Sequence, residues 1–263
     1  MKLLVVSAAL LSASLAFANP HELPYTYTTE SLPKGALEVE QYADLTPVSY
    51  VNTTGAKVFT LRSILTTEFE YGISNKLELG LYFQMSNDPA DPSGSAPFGF
   101  DGIKQRLRYR LAAPGKWPVD VGFYLEIAEL RNEFELEWKV LLQRRVGPVG
   151  FMVNLWAEHE SYYDNHQEWV INPTAGVTWQ IHPVFHLGLE FWMHAEWGTT
   201  TKDAITNFNN SPHYMLGPAV MFEFGRFWWS TGAYVRLDGL DEGIGLGSQW
   251  GHVWIRTMLG IEI

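Results

Sequence analysis

The stretch Gly102-Ile103-Lys104-Gln105-Arg106-Leu107-Arg108-Tyr109-Arg110-Leu111 decides how this chain folds. Ile103, Leu107, Tyr109 and Leu111 fall on one parity, and Lys104, Arg106, Arg108 and Arg110 on the other. Successive side chains of an extended strand point to opposite faces, so this is a strand with one apolar and one charged surface. The same period recurs on both sides of it. Leu61, Leu65, Phe69 and Tyr71 alternate with Arg62, Thr66, Glu68 and Glu70; Leu77, Leu79, Leu81 and Phe83 alternate with Glu78, Gly80, Tyr82 and Gln84. Further on, Phe185, Leu187, Leu189 and Phe191 alternate with His186, Gly188, Glu190 and Trp192, and Val253, Ile255, Leu259 and Ile261 with Trp254, Arg256, Gly260 and Glu262.

Twelve such segments are predicted, near 36–45, 58–71, 77–87, 102–112, 119–130, 133–145, 149–160, 168–181, 185–197, 213–224, 227–238 and 252–263. Short connectors (72–76, 113–118, 146–148, 182–184, 225–226) alternate with long ones (46–57, 87–101, 198–212, 239–251) and a shorter one at 161–167. The link at 131–132 is tight although it falls on the long side. This is the pattern of an all-β, closed antiparallel transmembrane β-barrel of about 12 strands, with turns in the periplasm and loops outside. An even strand number puts both termini on the periplasmic side. In lipid every backbone polar group must be paired, so strands span only as a closed barrel. A soluble sandwich or lipocalin would bury the apolar face instead, and so many strands would need a very large core. Trp117, Trp169, Trp197, Trp228 and Trp229, near strand ends, are expected in interface girdles.

The chain opens with Lys2, an apolar run over 3–15 and the small-x-small site Ala16-Phe17-Ala18. This reads as a cleaved signal peptide over 1–18, leaving 19–263 as a single barrel domain. With no cysteine anywhere, disulfide staples and thiolate metal sites are excluded. No later stretch reaches the roughly 18 apolar residues of a membrane helix. The net charge of -11 argues against nucleic-acid binding, which wants a basic face. An aromatic share of 14% suits belts at two membrane interfaces.

The segment Thr28-Thr29-Glu30-Ser31-Leu32-Pro33-Lys34-Gly35, running into Ala36-Leu37-Glu38-Val39-Glu40-Gln41-Tyr42, resembles the start of a group of uncharacterised proteobacterial outer-membrane barrels regarded as transporters. That group is loosely similar to the barrels of the MetA pathway of phenol degradation. Gly147-Pro148-Val149-Gly150, His186-Leu187-Gly188-Leu189-Glu190 and Leu216-Gly217-Pro218 resemble strand starts in it. The resemblance implies a membrane barrel with a transport role and brings no catalytic residues. Many outer-membrane barrels end in an aromatic residue, whereas this chain ends Gly260-Ile261-Glu262-Ile263.

With the apolar parity toward lipid, the other parity lines a charged lumen. Its candidate selectivity residues are Arg62, Glu68, Glu70, Glu78, Lys104, Arg106, Arg108, Arg110, Asp120, Glu126, Glu190, Arg236 and Arg256. The four cations Lys104 to Arg110 stand ~6.6–7 Å apart on one face. They form either a ladder for an anionic solute or a structural ladder neutralised by Glu70, Glu78, Asp120 and Glu126. His186, Glu190, His194 and Glu196 share one inward face, with His213 opening the next strand. His186 and His194 are about 26 Å apart on an extended strand, so only His194, Glu196 and His213 are weak metal candidates, and ordinary polar packing is the simpler reading.

No cofactor motif is present: there is no G-x-S-x-G, no H-E-x-x-H and no phosphate loop, and Gly243-Ile244-Gly245-Leu246-Gly247 has no helix after it. His159 and Ser161 share the outward parity, but no acid or amide is placed to orient the histidine. Three functions stand open: a passive channel for small polar or charged solutes, constricted by the loops at 87–101 and 198–212; a sealed structural or surface-interaction barrel; and an outer-membrane lipid hydrolase. The expected location is the outer membrane of a Gram-negative cell. Expected partners are outer-membrane lipids, a small solute and, during biogenesis, periplasmic chaperones and the barrel-assembly machinery, with no nucleic acid.

Overall fold

The computed structural model describes residues 19–51, 54–87, 98–200, 212–238 and 251–263, with 50, 51 and 197–200 as backbone only. The predicted signal peptide, most of the loops at 87–101, 198–212 and 239–251 and the ring of Trp197 lie outside the described residues. Thirteen strands follow one another: β1 (Leu37–Val51), β2 (Lys57–Ser74), β3 (Leu77–Asn87), β4 (Phe98–Arg110), β5 (Asp120–Leu130), β6 (Glu133–Val146), β7 (Val149–Tyr162), β8 (His166–Ile171), β9 (Thr174–His182), β10 (Phe185–Thr200), β11 (His213–Phe224), β12 (Phe227–Arg236) and β13 (Val253–Glu262).

All pair antiparallel, and β13 closes on β1 from Glu38↔Glu262 to Leu45↔Ile255. Strands β8 and β9 each pair with both β7 and β10, so they lie end to end as one stave and the barrel has twelve. The interruption is Asn172-Pro173, where proline has no N–H to give the ladder. The rungs Asn172 N to Trp156 O and Met193 N to Pro173 O, both 3.0 Å, hold the stave through the break.

The apolar parity faces out, as the alternation requires. Phe69, Leu81, Phe83, Leu107, Leu125, Phe151, Leu189 and Ile261 are all exposed, and such a continuous apolar wall belongs in lipid.

Three expectations need correction. The loop predicted over 46–57 is shorter, because β1 continues to Val51. Pro47 hid this: it lies past Leu45, the last residue of β1 paired with β13, where a missing N–H breaks no rung between those strands. Trp228 is no girdle residue. Neighbours on a strand face opposite ways, so Trp229 takes the outward parity and Trp228 is fully buried in the lumen. Finally, β4 begins at Phe98, and a bulge opposite Gln84 and Met85 breaks the parity of Asp101 and turns it inward, where Gln84 Nε2 donates to it at 2.9 Å.

Candidate functional site

Residues 19–34 precede the first strand and carry no strand pattern, yet most of them are buried inside the barrel. An extended segment without sheet partners must satisfy its backbone groups another way, and here inward side chains of the wall do it. Asn19 N donates to Glu38 Oε2 at 2.9 Å, Tyr25 N to Glu190 Oε1 at 3.0 Å and Tyr27 N to Asn154 Oδ1 at 2.7 Å. Thr29 N donates to Gln143 Oε1 at 2.8 Å and Leu32 N to Glu78 Oε2 at 2.7 Å, while Asn154 Nδ2 returns a bond to Tyr27 O at 2.9 Å. Leu23, wholly buried, packs with Met152 and Ala219. It fills a cradle that exists because Gly176 and Gly188 carry no side chain: a Cβ on either would come within 2.3 and 2.5 Å of its methyl groups.

Side chains of the segment extend the docking. Tyr25 donates to Asp44 at 2.9 Å, packs at a tilt against Trp192 and meets Tyr234 edge to face. Glu22 is held by Arg145 and Thr178. Burial pushes the Glu22 carboxyl up, but the His186 hydrogen bond and the Arg145 guanidinium outweigh it and leave it below its ordinary value. His21 lies flat on Trp228 at 5.4 Å, 3.7 Å from Glu40. Burial, then the fields of Arg108 and Arg106, push His21 well below the usual histidine value.

Around the segment runs the charged layer that the alternation predicted. Register sets Glu78 opposite Arg108 and Gly80 opposite Arg106. Arg106 Nη2 reaches Glu68 and Glu78 at 2.8 Å each and also binds Glu70; Arg108 Nη2 reaches Glu78 at 2.7 Å. The absent side chain of Gly80 leaves room for this, since a Cβ there would stand 2.5 Å from Glu68 Oε1. Lys104 goes instead to Glu135 at 3.0 Å and Glu126 at 3.3 Å. Arg110 leaves the network at the rim, giving Nε to Asn75 O. Asp120 also stands apart, because its carboxylate caps Gly115 N at 2.9 Å. The ladder is therefore neutralised by Glu68, Glu70 and Glu78, with Glu126 serving Lys104 and Asp120 serving a turn.

Of the other candidates, Arg256 forks onto Asp44 at 2.6 and 2.8 Å and lies 3.9 Å over the Tyr25 ring. Glu190 accepts from the segment, Arg62 lies 5.3 Å over Trp254, and Arg236 faces Asp238 at 3.5 Å. The weak metal candidates His194, Glu196 and His213 stand on β10 and β11. His194 and His213 are opposite in register, but His194 bonds Glu196 at 2.7 Å while His213 turns to Asp238 at 2.8 Å. His159 Nδ1 lies 3.4 Å from Ser161 Oγ and packs on Trp169; among the described residues no acid or amide bonds it.

Toward the long-loop end the lumen opens into a cavity of about 360 Å³. Its floor is Tyr27 of the segment with Tyr42, Tyr82 and Tyr124 of the wall. Eight carboxylate residues line it against Lys104, Lys139 and Arg256, an excess of five acids. Asp44, Glu126, Glu135 and Glu137 have cations. Among the described residues Asp101, Glu133, Glu158 and Glu160 have none, and Glu158 is 8% exposed. Lys139 Nζ sits over Trp156 at 3.6 Å, Tyr124 at 4.1 Å and Tyr27 at 4.5 Å.

A closed twelve-stave barrel with an apolar outer wall and a charged lumen filled from its own amino-terminal segment is a transmembrane barrel of the outer-membrane type. No family model matches the chain, and no curated protein sequence does. Among solved structures it is similar to the COG4313 outer membrane channel from Pseudomonas putida F1, with a TM-score of 0.61 and 12% identity over 89% of this chain and 98% of that one. It is also similar to the NanC porin (TM-score 0.56, 9% identity, 87% and 100% covered) and the KdgM porin (0.52, 5%, 86% and 99%). At these identities the likeness is one of fold.

Proposed function

We propose that this protein is an outer-membrane channel for small polar or charged solutes, closed on its inner side by residues 19–34. The observation that carries the reading is the division of the lumen. A cavity of about 360 Å³ with an excess of acids opens at one end, and the docked segment 19–34, not the barrel wall, fills the other. The resemblance to transport barrels and the fold shared with channels and porins point the same way. The acidic excess of the cavity favours cations at the outer mouth. Among the described residues the lumen is built of ion pairs and hydrogen bonds between wall and segment, and we read the protein's part as passage. Cleavage after Ala18 on export would turn Asn19 N into an ammonium beside the buried Glu38.

The sealed-barrel reading has one observation in its favour: wall side chains hydrogen-bond the segment in place at Asn19, Tyr25, Tyr27, Thr29 and Leu32. Planar-bilayer recording separates the two. A channel gives discrete openings that become longer when Leu23→Asp weakens the seat; a sealed barrel is silent in both forms.

A further inference from the structure

Five carboxylates of the inner lumen, Glu38, Glu40, Glu68, Glu70 and Glu78, are 0% exposed. Among the described residues, the arginines and lysines that oppose them in ion pairs are Arg106 and Arg108 alone. Were all five ionised, they would exceed those two cations by three, in a place where an uncompensated charge is very costly. An ammonium at Asn19 would supply one. The remaining two fall where the luminal segment meets β1 and β2.

There, His21 Nε2, a Glu40 oxygen and a Glu70 oxygen all lie within 4.8 Å of one another, and all three residues are buried. His21 is 4% exposed and its Nε2 has no hydrogen-bond partner; neither has Glu40 Oε1. Glu70 Oε2 has none either, with only Arg108 at 3.8 Å. Buried polar atoms are nearly always satisfied, so an orphan atom on each of three residues whose ligand atoms already gather within 4.8 Å calls for an occupant. Protonation of a carboxyl would quiet one of them; a divalent ion satisfies all three and supplies the two missing charges.

We propose that His21, Glu40 and Glu70 bind one divalent transition-metal ion of the zinc type, which clamps the amino-terminal segment to the barrel wall. One imidazole and two carboxylates, with water in the fourth position, form a donor set that such ions accept at roughly 2.0–2.2 Å. The nitrogen disfavours calcium and magnesium, which prefer oxygen throughout. The acidic rim cluster Glu133, Glu135 and Glu160 offers oxygens alone and suits harder cations.

The test uses the exported full barrel in detergent, titrated with zinc chloride and followed by calorimetry and metal analysis. One zinc per chain is expected, with affinity falling about 100-fold or more in His21→Ala and Glu40→Gln and holding in Glu160→Gln, by comparison with the 10–100-fold typical of outer-shell changes. Zinc should also protect residues 19–34 from protease, reversibly with chelator. Cobalt loading of the unmutated protein, which needs no variant to fold, should give the visible band of a four-coordinate site. Substoichiometric zinc, binding that survives His21→Ala, binding lost in Glu160→Gln or a cobalt complex without that band would each overturn the proposal. Conductance is a separate readout, so a silent barrel that binds zinc would sink the channel reading and leave this one standing.

Discussion

Glu78 and Glu158 are both inward carboxylates on barrel strands, and both are more than nine-tenths buried. Glu78 receives Arg106, Arg108 and the backbone of Leu32 within 2.8 Å. Glu158 faces the cavity and, among the described residues, has no hydrogen bond or ion pair. The inner lumen uses most of its charges as cement, spent on a neighbour or on the docked segment. The outer lumen, among the described residues, leaves Asp101, Glu133, Glu158 and Glu160 without a cation. The lesson is that the same parity, on the same strands, makes a plug where partners converge and a vestibule where they do not.

The largest way to break the inner half is to remove its cation. Arg106→Ala leaves Glu68, Glu70 and Glu78 facing one another and should cost about 3–5 kcal/mol, seen as a lower midpoint in denaturant unfolding of the folded barrel. Next comes the seat of the segment. Leu23→Ala empties the cradle under Gly176 and Gly188 and should weaken docking by about 3 kcal/mol, seen as cleavage of residues 19–34 at protease levels that spare the parent protein. In the outer half, Glu158→Gln combined with Glu160→Gln should leave unfolding within about 0.5 kcal/mol while shifting the reversal potential in a salt gradient away from cations. Were stability to fall as far as in Arg106→Ala, the contrast between the halves would collapse.

The smallest effect is one of pH. Burial, then the nearby Glu22, raises the Glu30 carboxyl above its ordinary 4.5. The docked segment therefore holds the proton more tightly than the released one. Docking is fully supported below that value and weakens as pH rises through it. Protease protection should decline as pH rises above the ordinary carboxyl value of 4.5, and Glu30→Gln should flatten the decline.

Much of the barrel was legible because lipid and lumen impose opposite demands on adjacent residues. Glu70 and Glu78 could be matched to the Arg106 ladder from strand order alone. Two kinds of feature escaped. Local breaks in parity did: the bulge that turns Asp101 inward, and the Trp228-Trp229 pair, whose members cannot share a face. So did the luminal segment, since His21 to Pro33 has neither period and its hydrogen bonds go to side chains on distant strands. A signal did exist in Gly176 and Gly188, both inward on neighbouring staves, where missing side chains imply a guest.

The absence of cysteine from the natural sequence makes the central claim directly testable. A disulfide between Leu23→Cys and Gly188→Cys would staple the segment to its cradle. Single-channel recording of that variant should show no openings when oxidised and parent-like openings after reduction. Openings that persist unchanged in the oxidised form would contradict closure by residues 19–34.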